Sequence, residues 1–127
     1  MVADIETVTQ RIGGVAGIPP AIDIEIVMQH AKSYADDVRC ALPVDKVVLY
    51  GSYAKGTATA LSDVDICFFL NNYGGKERFD IRFELLRMIR SQSGRSGIYF
   101  EPTVFPTSEI YNDNPFVKEI LRTGIEI

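Results

Sequence analysis

Two short apolar runs lie either side of a small, polar stretch in the middle of this chain. Val47, Val48, Leu49 and Tyr50 form the first; Ile66, Cys67, Phe68, Phe69 and Leu70 form the second. Short apolar runs bounded by turn residues predict buried strands, here over residues 46–50 and 64–70. A third run predicts a strand over residues 98–105, cut short by Pro106. Pro102 lies inside it and cannot donate to a ladder, which places this strand at a sheet edge or at a bulge. Helical spacing dominates elsewhere. Val27, Ala31, Tyr34, Val38 and Leu42 predict a helix over residues 21–42, ended by Pro43. Residues 76–92 predict a second helix, with Phe79, Phe83, Leu86 and Ile89/Arg90 on one stripe. With Phe68, Phe69 and Phe100, the two phenylalanines of that stripe are expected in the core. Residues 91–97 read as a Gly/Ser loop, and residues 71–75 as a turn. The last helix is expected from residue 114 or 115 to 122. Asn114 would be its N-cap, Pro115 its first helical residue and Gly124 its stop.

The order is helix, strand, short helix within residues 52–60, strand, helix, strand, helix. It predicts an α/β (α+β) domain, a small mixed sheet of three or more strands with helices packed on it. The strand–helix–strand arrangement over residues 64–104 allows its two strands to be parallel. Residues 1–20 are broken by Gly13, Gly14, Gly17, Pro19 and Pro20. They are read as an N-terminal extension, with residues 21–127 forming the domain.

Size and composition narrow the class. The chain has 127 residues, 46% hydrophobic and 24% charged, enough for one ordinary core without staples. Cys40 and Cys67 are the only cysteines, and their spacing suggests neither a zinc site nor a disulfide framework. Reduced cytoplasm is the expected compartment. No apolar stretch approaches a membrane span, and the acidic start MVADIETVTQ does not read as a secretory signal. The net charge of −4 argues against gripping a long nucleic-acid backbone. Two Mg2+ ions would balance that charge, although ordinary surface carboxylates account for the same total.

The chemistry lies in residues 51–65, GSYAKGTATALSDVD. Side chains alternate along a strand, so Asp63 and Asp65 share a face, with Cα atoms roughly 6.5–7 Å apart. Two carboxylates so placed can converge on one divalent cation, or on two about 3.5–4 Å apart. Gly51 allows close backbone approach to a ligand. Ser52 offers a hydroxyl and an N–H at the start of a short helix, a place suited to phosphate. Lys55 can act as a point charge on phosphates. Gly56 and Thr57 keep the loop tight. The plainer alternative is a turn glycine followed by two solvated strand-start aspartates. No Gly-Lys-Ser/Thr follows Gly51, so the chain is not read as a P-loop protein. His30, the one histidine, lies near the apolar stripe of the first helix and reads as a packing residue.

Gly51-Ser52, Lys55, Gly56 and Ser62-Asp63-Val64-Asp65 resemble the signature of the minimal nucleotidyltransferases of the DNA polymerase β-like superfamily. The segment Asn114 to Arg122 resembles their C-terminal helix, and the likeness spans residues 25–127. The resemblance implies a polymerase β-like fold that moves a nucleoside monophosphate, AMP from ATP, to a hydroxyl. It implies two Mg2+ ions held by Asp63, Asp65 and a third carboxylate, for which Glu101 is the matching position. Gly51, Ser52, Lys55 and Ser62 would hold the nucleotide. Tyr53 stands where arginine is common, so it would stack on a base or leave one cation missing, with Arg95 a substitute. Small members of this family are often paired with a helical HEPN toxin, which implies a partner-directed adenylyltransferase with an antitoxin role. The alternatives are a non-catalytic module that neutralises its partner by contact, and a nucleotidyltransferase acting on a small molecule.

Overall fold

The computed structural model describes residues 21–127, and of residues 90–96 the backbone alone. In chain order the elements are α1 (Ile24–Ala41), β1 (Val44–Tyr50), α2 (Gly51–Lys55), β2 (Val64–Leu70), α3 (Arg78–Ser96), β3 (Phe100–Pro106), a 3-10 turn (Thr107–Ile110), α4 (Pro115–Thr123) and β4 (Ile125–Glu126). The sheet has the order β3-β2-β1-β4. β2 and β3 run parallel, and β1 runs antiparallel to both β2 and β4. The expected α/β class and mixed sheet are therefore present. β3 is an edge strand, one of the two places where Pro102 was expected. The N-terminal extension, residues 1–20, lies outside the described residues.

Local chemistry sets the helix ends. Asp23 caps α1 by accepting from the Glu25 N–H at 2.8 Å. Leu42 is extended (φ −135°, ψ 153°), as a residue before proline prefers. Asn114 caps α4 by accepting from the N–H groups of Phe116 and Val117 at 3.0 and 3.3 Å. Gly124 ends α4, and the chain then pairs with β1, where Ile125 opposes Leu49. This two-residue fourth strand carries too short a pattern to be read in advance.

β2 is the centre of the molecule and is covered on both faces. Val64, Ile66, Phe68 and Leu70 join a core with Val27, Ala31, Tyr34 and Val38 of α1 and Ile81, Leu85 and Ile89 of α3. Cys67 and Phe69 join a second cluster with Val48, Phe105, and Val117 and Ile120 of α4. Burial on both faces explains why β2 reads as a continuous apolar run rather than an alternating one. Tyr34 is the hinge of the first core. Its ring sits edge-on to Phe68 at 5.4 Å, and its hydroxyl donates to the Leu85 carbonyl at 2.8 Å, joining α1 to α3.

Three expectations are corrected. α3 continues through residues 91–96 as helix, and the break comes at Gly97, in the left-handed region at φ +70°. Phe79, Phe83 and Leu86 are not core: they are 77%, 57% and 37% exposed. α3 carries two apolar stripes, and it is the one with Ile81, Leu85 and Ile89 that turns inward. Tyr53 is buried in the core with its hydroxyl accepting from the Ile22 N–H at 3.4 Å, so it is not available to stack on a base. Among the described residues no helix is long and apolar enough to cross a membrane.

Candidate active site

The sheet register sets two of the three carboxylates side by side. Asp65 opposes Tyr50 across the antiparallel pair and Glu101 across the parallel pair. Asp63 stands two residues before Asp65, where the loop enters β2. Asp65 and Glu101 lie on the same sheet face as Cys67, Phe69 and Phe105. The Asp65 carboxyl is pushed above its ordinary value, first by burial, then by the charges of Asp63 and Glu101. Among the described residues no cation pairs with Asp63 or Asp65. An uncompensated cluster of hard oxygen donors of this kind suits a divalent cation.

Gly51 begins α2 in the left-handed region at φ +76°. A Cβ there would stand 2.1 Å from Asp65 Oδ2, so the carboxylate lies directly against the glycine backbone. The turn of α2 is closed by Gly56, also at φ +76°, and by the Thr57 N–H donating to the Ser52 carbonyl at 2.9 Å. Ser52 and Lys55 are three residues apart on this helix, hence on one face, and Lys55 is exposed. Ser62 shapes the loop that delivers Asp63. Its hydroxyl accepts from the Thr59 N–H at 3.0 Å, and its own N–H donates to the Thr59 carbonyl at 3.0 Å.

Glu101 is engaged by α3. Its Oε1 accepts from Arg82 Nη2 at 2.6 Å, while Arg82 Nε donates to the Pro102 carbonyl at 3.2 Å. Accordingly, among the described residues no three His, Cys, Asp or Glu side chains stand at metal-ligand distance together. The sequence reading missed Arg82. The available signal was the i, i+4 pair Arg78 and Arg82, which sits on a helix otherwise read only for its apolar stripe. Also missed were Tyr50 and Thr103, whose hydroxyls share a 2.9 Å hydrogen bond across β2 beside Asp65. Phe116 of α4 meets the Tyr50 ring edge-on at 6.0 Å and is half exposed. The Arg95 side chain lies outside what is described.

Residues 28–120 match the family model of the nucleotidyltransferase domain. The chain belongs to that family, and its class of chemistry is nucleotidyl transfer. A solved structure from Sulfolobus solfataricus, described as a candidate nucleotidyltransferase, is similar in fold. The TM-score is 0.54 at 18% identity, over 81% of this chain and 80% of that one. No curated protein matches the chain in sequence.

Proposed function

We propose that the chain is a Mg2+-dependent adenylyltransferase that moves AMP from ATP to a hydroxyl on a partner protein. One observation carries this reading. Asp65 and Glu101 are in register on adjacent strands, Asp63 is two residues away, and the Asp65 carboxylate is pressed against Gly51 at the start of α2. Asp63, Asp65 and Glu101 are the residues to hold Mg2+, which would lower the pKa of the acceptor hydroxyl and neutralise charge on the leaving pyrophosphate. Ser52 and Lys55, on one face of α2, would meet the phosphates, with Gly51 giving them room. Ser62 would serve the nucleotide indirectly by holding the loop. Positioning and electrostatics, rather than covalent chemistry by the protein, would carry the rate.

A partner would dock on a different surface. Phe79, Phe83 and Leu86 form an exposed apolar face on α3, of the kind used in protein contact. A helical HEPN-type toxin is the partner this reading favours. The same face, together with the engagement of Glu101 by Arg82, favours a second reading in which the protein neutralises its partner by contact alone. Incubation of the protein with labelled ATP, Mg2+ and a co-purified partner separates the two. Label transfer that Asp63→Asn abolishes, without loss of partner binding, is the expected result. Partner binding without any transfer by the intact protein would leave only the second reading.

A further inference from the structure

α3 meets the edge of the sheet through two arginines. Arg78 Nε donates to the Val104 carbonyl at 2.7 Å, and Arg82 Nε donates to the Pro102 carbonyl at 3.2 Å. The match is geometric. Four residues of helix advance about 6 Å and two residues of strand about 6.6 Å, so an i, i+4 pair can address alternate carbonyls of β3. The outward carbonyls of an edge strand, a template for unwanted pairing, are thereby capped by side chains. Arg78 also lies over the Phe105 ring, 4.3 Å from its centre. Both guanidinium groups are therefore anchored by backbone acceptors at the strand edge, independently of any carboxylate.

Arg82 differs from Arg78 in having a second function for its fork. Its Nη2 takes Glu101 Oε1 at 2.6 Å. Because the Pro102 carbonyl holds Nε, the guanidinium stays beside Glu101 whether or not Glu101 remains with it. Glu101 would thus stand between two competing cations: the fixed guanidinium at the strand edge and the divalent ion proposed at Asp63 and Asp65. We propose that Arg82 is a positioning residue that acts through Glu101, holding the third carboxylate away from the aspartate pair until a divalent cation draws it across. The proposal rests on the metal-site reading given above. In this arrangement Arg82 lowers the affinity of the empty site for the ion, and the completed site forms only when the ion outcompetes the guanidinium. The ion pair is partly exposed, so its effect is modest. Removing it should tighten Mn2+ binding by roughly fivefold, the size expected when one nearby cation is lost in a largely aqueous surrounding.

Mn2+ binding to the full chain, without nucleotide, is the test, read by calorimetry or by the paramagnetic resonance of free ion. Arg82→Gln should bind Mn2+ more tightly than the unaltered protein. Arg78→Gln, which loses the same kind of edge contact but does not touch Glu101, should bind as the unaltered protein does. In a Glu101→Gln background the Arg82→Gln gain should vanish. An unchanged or weakened affinity in Arg82→Gln overturns the proposal. So does an equal gain in the Glu101→Gln background, which would make Arg82 a general repulsive charge. Should Arg82→Gln lose its cooperative unfolding, Arg82→Lys takes its place. Lysine keeps the charge but cannot fork between Pro102 and Glu101, so a smaller gain is expected and no gain overturns the proposal. Absence of any Asp63-dependent Mn2+ binding, in the unaltered protein and in Arg82→Gln alike, overturns both the metal-site reading and the proposal. Asp63-dependent binding with no gain in Arg82→Gln overturns the proposal alone.

Discussion

Alanine at Gly51 and alanine at Gly56 form a matched pair of perturbations. Both glycines sit at φ +76°, where an L side chain is strained. At Gly56 an added Cβ meets nothing within 4 Å. Its substitution therefore carries the backbone term alone, about 1–2 kcal/mol for a non-glycine residue in the left-handed region. At Gly51 the same Cβ would stand 2.1 Å from Asp65 Oδ2 and 3.0 Å from Asp65 Cγ. Ordinary contact requires roughly 1 Å more, and a displacement of that size at a reacting group costs on the order of a hundredfold in rate. If the Asp65 carboxylate stays in place, the added strain is about 1–3 kcal/mol, as for other overpacked sites. If it swings aside, that strain is relieved and the proposed cation site loses a ligand. Urea unfolding and Mn2+ binding, measured on both variants, follow the two terms separately. Gly56→Ala should be destabilised with near-normal Mn2+ affinity. Gly51→Ala should show at least the same destabilisation and, in addition, weaker Mn2+ binding or a larger loss of stability. Equal stability and equal Mn2+ affinity in the two variants would refute the reasoning, because the contact with Asp65 would then have no consequence.

Gly124→Ala should lower stability by about 1–3 kcal/mol in urea unfolding, since its Cβ would fall 2.3 Å from Val48 Cγ1 and 2.5 Å from the Ile120 carbonyl. A thiol reagent should modify exposed Cys40 rapidly and Cys67 only after unfolding. Burial pushes the Cys67 thiol up to about 12, an effect Arg78 only partly offsets. Two aspartates should give opposite pH responses in the metal-free protein. Hydrogen bonds from Thr107 and then Asn71 hold Asp45 below its ordinary value. Its contribution is present above the unfolded value and lost as pH falls through the folded one, so Asp45→Asn should flatten the acid side of the urea-midpoint profile. Asp65 is held above its ordinary value by burial, then by Asp63 and Glu101. Its contribution is present below the unfolded value and lost as pH rises through the folded one. Asp65→Asn should therefore raise the midpoint at neutral pH, and an unchanged midpoint there would count against a strained acidic cluster.

Much of this molecule was already determined by residue order. The run from Val64 to Leu70 is apolar at every position after Asp65 because β2 is buried on both faces. Pro102 limited β3 to an edge or a bulge, since a regular central strand needs the N–H that proline lacks, and β3 is at the edge. Asn114, Pro115 and Gly124 bounded α4 through hydrogen-bonding chemistry that acts over three or four residues. Strand alternation predicted Asp63 and Asp65 as neighbours on one face; Asp63 instead stands in the loop just before β2, where its charge still acts on Asp65. Each of these rests on an interaction within a few residues of chain.

The tertiary structure decided what depends on elements meeting. Phe79, Phe83 and Leu86 recur at helical spacing just as Ile81, Leu85 and Ile89 do, and only the seating of α3 on the sheet selected the second set for burial. Tyr53 passed from a ligand-facing candidate to a core residue because α2 turns it into the first core, where its hydroxyl meets the Ile22 N–H. The alignment of Glu101 beside Asp65 needed the parallel register of β2 and β3. Its engagement by Arg82 needed α3 to lie along that strand's outer edge, 19 positions away in the chain. Spacing along the chain put the two aspartates within two residues of each other; the third carboxylate is placed by the pairing of two strands, and held by its arginine through the packing of a helix against one of them.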